Sequence, residues 1–179
     1  MNEKHEWVNE PTTPEEVLKL HKLRQSDPQR YLQIANQWIL KNPQSSDAYF
    51  GRHIAWMNIG EPRRALEDLN KVVELDPKQV SFLSRGDVHR HLGQYESALA
   101  DYDHGEVLDP AQWEGDALGL LFQADVHARL GDEAVALACC ARLPDDFWTP
   151  GLQGAPAGDK AQIADEVRRI AADARRKGI

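Results

Sequence analysis

From Ile59 to Pro77 the chain reads IGEPRRALEDLNKVVELDP, and from Leu92 to Pro110 it reads LGQYESALADYDHGEVLDP. Gly60 pairs with Gly93, Ala65 with Ala98, Leu66 with Leu99, Asp68 with Asp101, Leu75 with Leu108, and Asp76-Pro77 with Asp109-Pro110, each pair 33 positions apart. Upstream the same interval relates Tyr49 to Phe82, Arg52 to Arg85 and Trp56 to His89. A fixed period of this length means stacked supersecondary units, none of which buries enough apolar surface to stand alone.

Each unit reads as two helices. Helix A runs from about Asp47 to Ile59, and Gly60 supplies a turn residue that takes left-handed geometry at little cost. Pro62 falls in the first turn of helix B, where its missing N–H does no harm. Ala65, Leu66, Leu69, Val72 and Val73 recur at helical spacing and predict a buried stripe. Pro77 ends the helix, because proline pushes the residue before it out of helical geometry. The small Ala65 and Ala98 let helices A and B approach closely.

The aromatic early in helix A, the turn glycine, the alanine of helix B and the closing proline resemble the tetratricopeptide repeat (TPR). The resemblance implies an all-α fold, an α-solenoid of stacked helix–turn–helix repeats. On this reading residues 1–13 are a flexible amino terminus and 14–144 the array. The array divides into a degenerate pair at 14–45, repeats at 46–78 and 79–112, and a worn repeat at 113–144. In the worn copy Gly131 takes the turn and Ala136-Leu137 match Ala65-Leu66, but helix B is cut short at Pro144. The degenerate pair has Tyr31 where alanine is expected, and it starts well, with Thr13, Pro14 and Glu16 forming a capping box. Residues 145–158, rich in proline and glycine, read as loop. Residues 159–179 read as a capping helix, with Asp159 at its start and Ile163, Val167, Ile170 and Ala174 on one face. The expectation is about nine helices and no sheet.

One ion pair has an internal control. Arg52 precedes Asp68, and Arg85 precedes Asp101, by the same 16 positions; the worn copy has Gln123 and Cys139 instead. Present together twice and absent together once, these residues predict an Arg–Asp bridge across the two helices of each good repeat.

The TPR resemblance implies a concave surface lined by helix A. Its positions here are Asp47, Phe50, Gly51, Ile54, Met57 and Asn58 in the first good repeat. The second contributes Val80, Leu83, Ser84, Asp87, Arg90 and His91, and the worn copy Leu118, Leu121, Phe122, Asp125 and Arg129. An apolar strip with charges beside it suits a peptide or protein segment with hydrophobic anchors. One TPR subclass grips the terminal carboxylate of heat-shock chaperones with lysine and asparagine. The positions where it would place them hold Phe50, Ile54, Ser84, Leu118 and Phe122, so that clamp is missing.

The remaining chemistry points away from catalysis. His89 and His91 stand two apart and so on different sides of a helix, and His53, His89 and His127 fall at interior helix A positions that suit packing; no metal or other cofactor is called for. Cys139 and Cys140 lie in an apolar helix and read as buried small side chains. The glycines of GLQGAPAG follow no predicted strand, and Asp145-Asp146 lacks a cleft that would couple two carboxyls. Phe147 and Trp148 read as folding back over the worn repeat.

A net charge of −8 and a pI near 5.3 disfavour nucleic acid, whose phosphates such a surface repels. The charge is uneven. Residues 61–116 hold 13 acidic and 6 basic side chains, a balance of −7, and residues 160–179 hold 6 basic and 3 acidic, a balance of +3. No stretch approaches the ~20 apolar residues of a membrane span. The amino terminus lacks a signal-like apolar run, and the two cysteines are adjacent, so a reducing, cytoplasmic setting is expected. The sequence thus predicts a non-catalytic protein–protein interaction module, monomeric if both ends are covered. The alternative is a dedicated bacterial-type chaperone or inhibitor of a single client.

Overall fold

A computed structural model of the chain describes residues 10–109, 116–151 and 154–178. Among them are nine helices: α1 (Pro14–Ser26), α2 (Pro28–Lys41), α3 (Ser46–Asn58), α4 (Pro62–Leu75), α5 (Gln79–His91), α6 (Tyr95–Leu108), α7 (Ala117–Arg129), α8 (Glu133–Arg142) and α9 (Lys160–Lys177). The chain divides into two compact units, Met1–Pro77 and Lys78–Ile179. The boundary falls at the Asp-Pro that closes the first good repeat.

The helix boundaries follow from local chemistry. Thr13 accepts from the Glu16 amide while the Glu16 carboxylate accepts from the Thr13 amide, completing the capping box of α1. Gly60 and Gly93 sit at φ of 76° and 74°, and a Cβ at either would meet no neighbour, so backbone geometry alone asks for glycine. Asp76 and Asp109, each before a proline, leave helical geometry at nearly the same φ and ψ (−148°, 79° and −146°, 79°). α8 has 10 residues where α4 and α6 have 14, as Pro144 dictates.

In the first unit α2 packs against both α1 and α3, and α4 against α3. Leu20, Tyr31, Leu32, Ala35, Trp38 and Ala55 are buried in one cluster, with Tyr31 and Trp38 edge to face at 6.3 Å. Tyr31 keeps its place because α3 yields. A Cβ on Gly51 would lie 2.0 Å from the Tyr31 hydroxyl. Across α3 and α4, Ala65, Leu69 and Val72 are buried.

In the second unit α5 pairs with α6 and α7 with α8, and α9 lies against both α7 and α8. Ile163, Val167 and Ala171 of α9 join the cluster formed by Tyr102, Leu120, Leu121, Val126 and Cys140, which makes α9 the cap of this core. Asp159 caps α9 by accepting from the Ala161 and Gln162 amides. The segment before it is not all loop. Trp148–Thr149 (β1) pairs antiparallel with Gly158–Asp159 (β2), which corrects the expectation of no sheet. The pair ties the ends of the Pro/Gly-rich stretch directly in front of α9. The expectation for the amino terminus lies outside the described residues over positions 1–9.

Candidate functional site

Both Arg–Asp bridges form. Arg52 donates from Nε to Asp68 Oδ2 at 2.9 Å and from Nη2 to Oδ1 at 2.6 Å. Arg85 meets Asp101 with the same fork, at 2.8 and 2.6 Å. Arg52 also donates from Nη1 to Asn36 Oδ1 on α2 at 2.6 Å, so one guanidinium links three helices. Hydrogen bonding to Asp68 holds the Arg52 proton more tightly, while burial pushes the Asp68 carboxyl up against the pull of Arg52. In the worn repeat Gln123 and Cys139 are buried, and Gln123 Oε1 has no hydrogen-bond partner. These pairs hold the hairpins together rather than facing a partner.

The helix A positions divide by burial. On α3, Phe50, Ile54 and Met57 are half-buried and Asn58 is exposed. Phe50, Ile54 and Met57 stand at i, i+4 and i+7, on one helix face. Phe50 packs edge to face on His53, with ring centroids 4.7 Å apart. Asn58 donates from Nδ2 to the Arg24 carbonyl at 3.1 Å, tying α3 to α1. His53 is 6% exposed; burial, reinforced by the positive charge of Arg24, depresses its pKa to about 3, so it is neutral at physiological pH.

In the second unit Leu83 and Ser84 are half-buried, and Val80, His91 and Leu118 are exposed. Leu121, Phe122, Asp125, Asp87 and Arg90 are instead buried, which corrects their assignment to an open groove. Leu121 and Phe122 belong to the core cluster. The three charged residues form a relay with Arg129. Arg90 donates from Nε and Nη2 to Asp87 Oδ1 at 3.0 and 2.8 Å, and from Nη1 to Asp125 Oδ2 at 2.8 Å. Arg129 donates from Nε to both Asp125 oxygens at 3.0 Å. The Arg90 guanidinium also lies 4.6 Å from the Phe122 ring centroid, a cation–π contact. Burial pushes the Asp87 carboxyl up, against Arg90. Two carboxylates and two guanidinium groups balance, as charges out of water must.

Neither cysteine is poised to react. Burial raises both thiols, Cys140 to about 11, the nearby Cys139 adding to the effect. Phe147 folds onto the core as expected, but Trp148 is 64% exposed. Among the described residues no group of three or more His, Cys, Asp or Glu side chains could hold a metal, and no helix is long and apolar enough to cross a membrane. An open cavity of about 500 Å³ lies between α8 and α9, over Leu137, Cys140, Ala141 and Ala164. Its rim carries the exposed Asp145–Lys160 ion pair.

No family model matches the sequence. Among solved structures, residues 41 to the end of MamA from Desulfovibrio magneticus RS-1 align with a TM-score of 0.63 at 17% identity, covering 90% of this chain and 93% of that one. YrrB, described as a TPR protein with an unusual peptide-binding site, aligns with a TM-score of 0.63 at 18% identity over 92% and 82%. TTC0263, a thermophilic TPR protein of Thermus thermophilus, aligns with a TM-score of 0.55 at 18% identity over 89% and 76%. The chain has the fold of TPR proteins. Its class is the all-α solenoid, with TPR hairpins in both units. The curated Hsp70-Hsp90 organizing protein of Triticum aestivum is 30% identical over 80 residues, 44% of this chain. The chain spans 14% of that relative's length.

Proposed function

We propose that the chain is a non-catalytic interaction module that binds a peptide or protein segment through its helix A residues. The contact residues are Phe50, Ile54, Met57 and Asn58 on α3. The observation that carries this reading is the half-exposed Phe50–Ile54–Met57 face beside the exposed Asn58. An apolar strip with a polar neighbour offers anchors and orientation together. YrrB, similar in fold, is described as having a peptide-binding site, which supports the same use here. The charge of −8 favours a partner with basic or amphipathic segments, in a cytoplasmic setting.

The chaperone reading draws on the likeness to the Hsp70-Hsp90 organizing protein. It takes the form of a dedicated holder of one client, because apolar residues such as Phe50 and Ile54 stand where a carboxylate clamp needs cations. Affinity capture from the native source tests both readings. A single stoichiometric client supports the dedicated chaperone and several partners the general module. Phe50→Ala combined with Ile54→Ala should abolish capture while helical content stays near that of the parent; capture that survives refutes the choice of surface.

A further inference from the structure

Arg129 differs from the other members of the buried relay in one respect. Its side chain is 32% exposed, whereas Asp125 is fully buried and the Arg90 side chain nearly so. Asp125 grips the Nε edge of Arg129, and Arg90 in turn fixes Asp125, so the guanidinium is held in one orientation. Its Nη2 then points away from the relay and donates to the backbone carbonyl of Gly154 at 3.1 Å. A guanidinium oriented from behind by a buried carboxylate is a pre-organised reader of oxygen acceptors.

The chain supplies the acceptor itself. Ala155 follows Gly154 into the core cluster that holds Leu121 and Phe122, and Pro156 is buried beside it in sequence. The segment returns to the scaffold through the Trp148–Asp159 and Thr149–Gly158 pairings, with Thr149 buried. Gly154 sits at φ of 77°, so the segment turns as it presents its carbonyl to Arg129 and buries Ala155 and Pro156, the form a bound peptide turn takes. We propose that the second unit carries a peptide site read by Arg129, that Gly154–Pro156 occupies it in cis, and that its external ligand is a turn-forming segment of small residues and proline offering a backbone carbonyl. This deepens the interaction-module reading and rests on it. Asp87, Arg90 and Asp125 are positioning residues, since they act through Arg129.

The test uses the full chain and a fluorescein-labelled peptide, Gly-Leu-Gln-Gly-Ala-Pro-Ala-Gly, the sequence of residues 151–158. Fluorescence anisotropy compares the parent with an Ala155→Lys, Pro156→Lys variant, whose lysines are repelled by Arg129 and resist burial. The peptide should bind the variant at least tenfold more tightly than the parent, and adding Arg129→Gln should remove that gain. Equal binding to parent and variant, or a gain that survives Arg129→Gln, overturns the proposal. A second measurement needs no substitution. Millimolar peptide added to the parent should accelerate amide exchange at Gly151 and Ala155, and unchanged exchange also overturns it. If these fail while Phe50→Ala with Ile54→Ala still abolishes partner capture, the interaction-module reading stands and only the cis-occupied site is lost.

Discussion

His53 makes the stability of the first unit depend on pH in a calculable way. Its pKa is about 3 in the folded chain, against about 6.5 in an unfolded one. The folded state therefore binds fewer protons than the unfolded state between these values, and stability falls as pH drops. The contribution is complete above about pH 6.5 and is lost progressively down to about pH 3. From pH 7.5 to pH 5.0 the unfolded imidazole gains about 1.5 pK units of proton-binding free energy and the folded one almost none, a loss of about 2 kcal/mol. Other groups titrate over the same range, so the comparison is with His53→Phe, which keeps an apolar ring beside Phe50 and removes the titration. Urea denaturation followed by far-UV circular dichroism at both pH values gives the difference. The parent should lose about 2 kcal/mol more than His53→Phe, at matched m-values. Equal losses would mean that His53 ionises normally and that its burial does not exclude the charged form.

Three further outcomes follow from the packing. A Cβ on Gly86 would lie 2.5 Å from Cε1 and 2.7 Å from Cδ1 of Tyr102, a ring with no room to swing, so Gly86→Ala should cost about 1–3 kcal/mol; an unchanged melting temperature would disprove the close approach. Asp68→Ala should cost about 2–4 kcal/mol by stranding Arg52, and Arg52→Met combined with Asp68→Leu should recover most of it; a double variant no more stable than the single would show that the bridge is not the source. Cys139 and Cys140 should resist 5,5′-dithiobis(2-nitrobenzoic acid) at pH 8 in the native chain and react fully in guanidinium; rapid native labelling would contradict their burial.

Much of this was legible in the sequence because it is written locally or repeated. Turn glycines, alanines and Asp-Pro ends recur at fixed offsets, and two copies of Arg–Asp against one of Gln–Cys mark the bridge in the sequence itself. The buried relay was hidden for a physical reason. Asp87–Arg90 and Asp125–Arg129 have i, i+3 and i, i+4 spacings, which on a helix ordinarily mean solvated pairs. What buries them is the Arg90–Asp125 link, and that link crosses between hairpins where the period changes. Gly60 and Gly93 stand 33 apart, but Gly93 and Gly131 stand 38 apart, so aligning copies could not register it. The β1–β2 pair left no trace either, since two residues per strand are too few to show alternation.

The two arrangements of buried charge do related work. Interfaces lined by alanine and leucine gain from closeness but resist small slides poorly, because dispersion is non-directional. A carboxylate–guanidinium contact at 2.6–3.0 Å loses most of its geometry with a shift of about 1 Å. In the first unit Arg52 joins α3 to both α2 and α4, so its guanidinium sets the register of neighbouring hairpins as well as closing one. The worn repeat has Gln123 at that position, and Asp125 on the same helix instead reaches back to Arg90 on α5. The same carboxylate, having fixed the register, has a second edge left for Arg129. A residue first needed to align α7 is thereby also the support that aims Arg129 at a peptide carbonyl, so register and recognition in the second unit depend on one buried group.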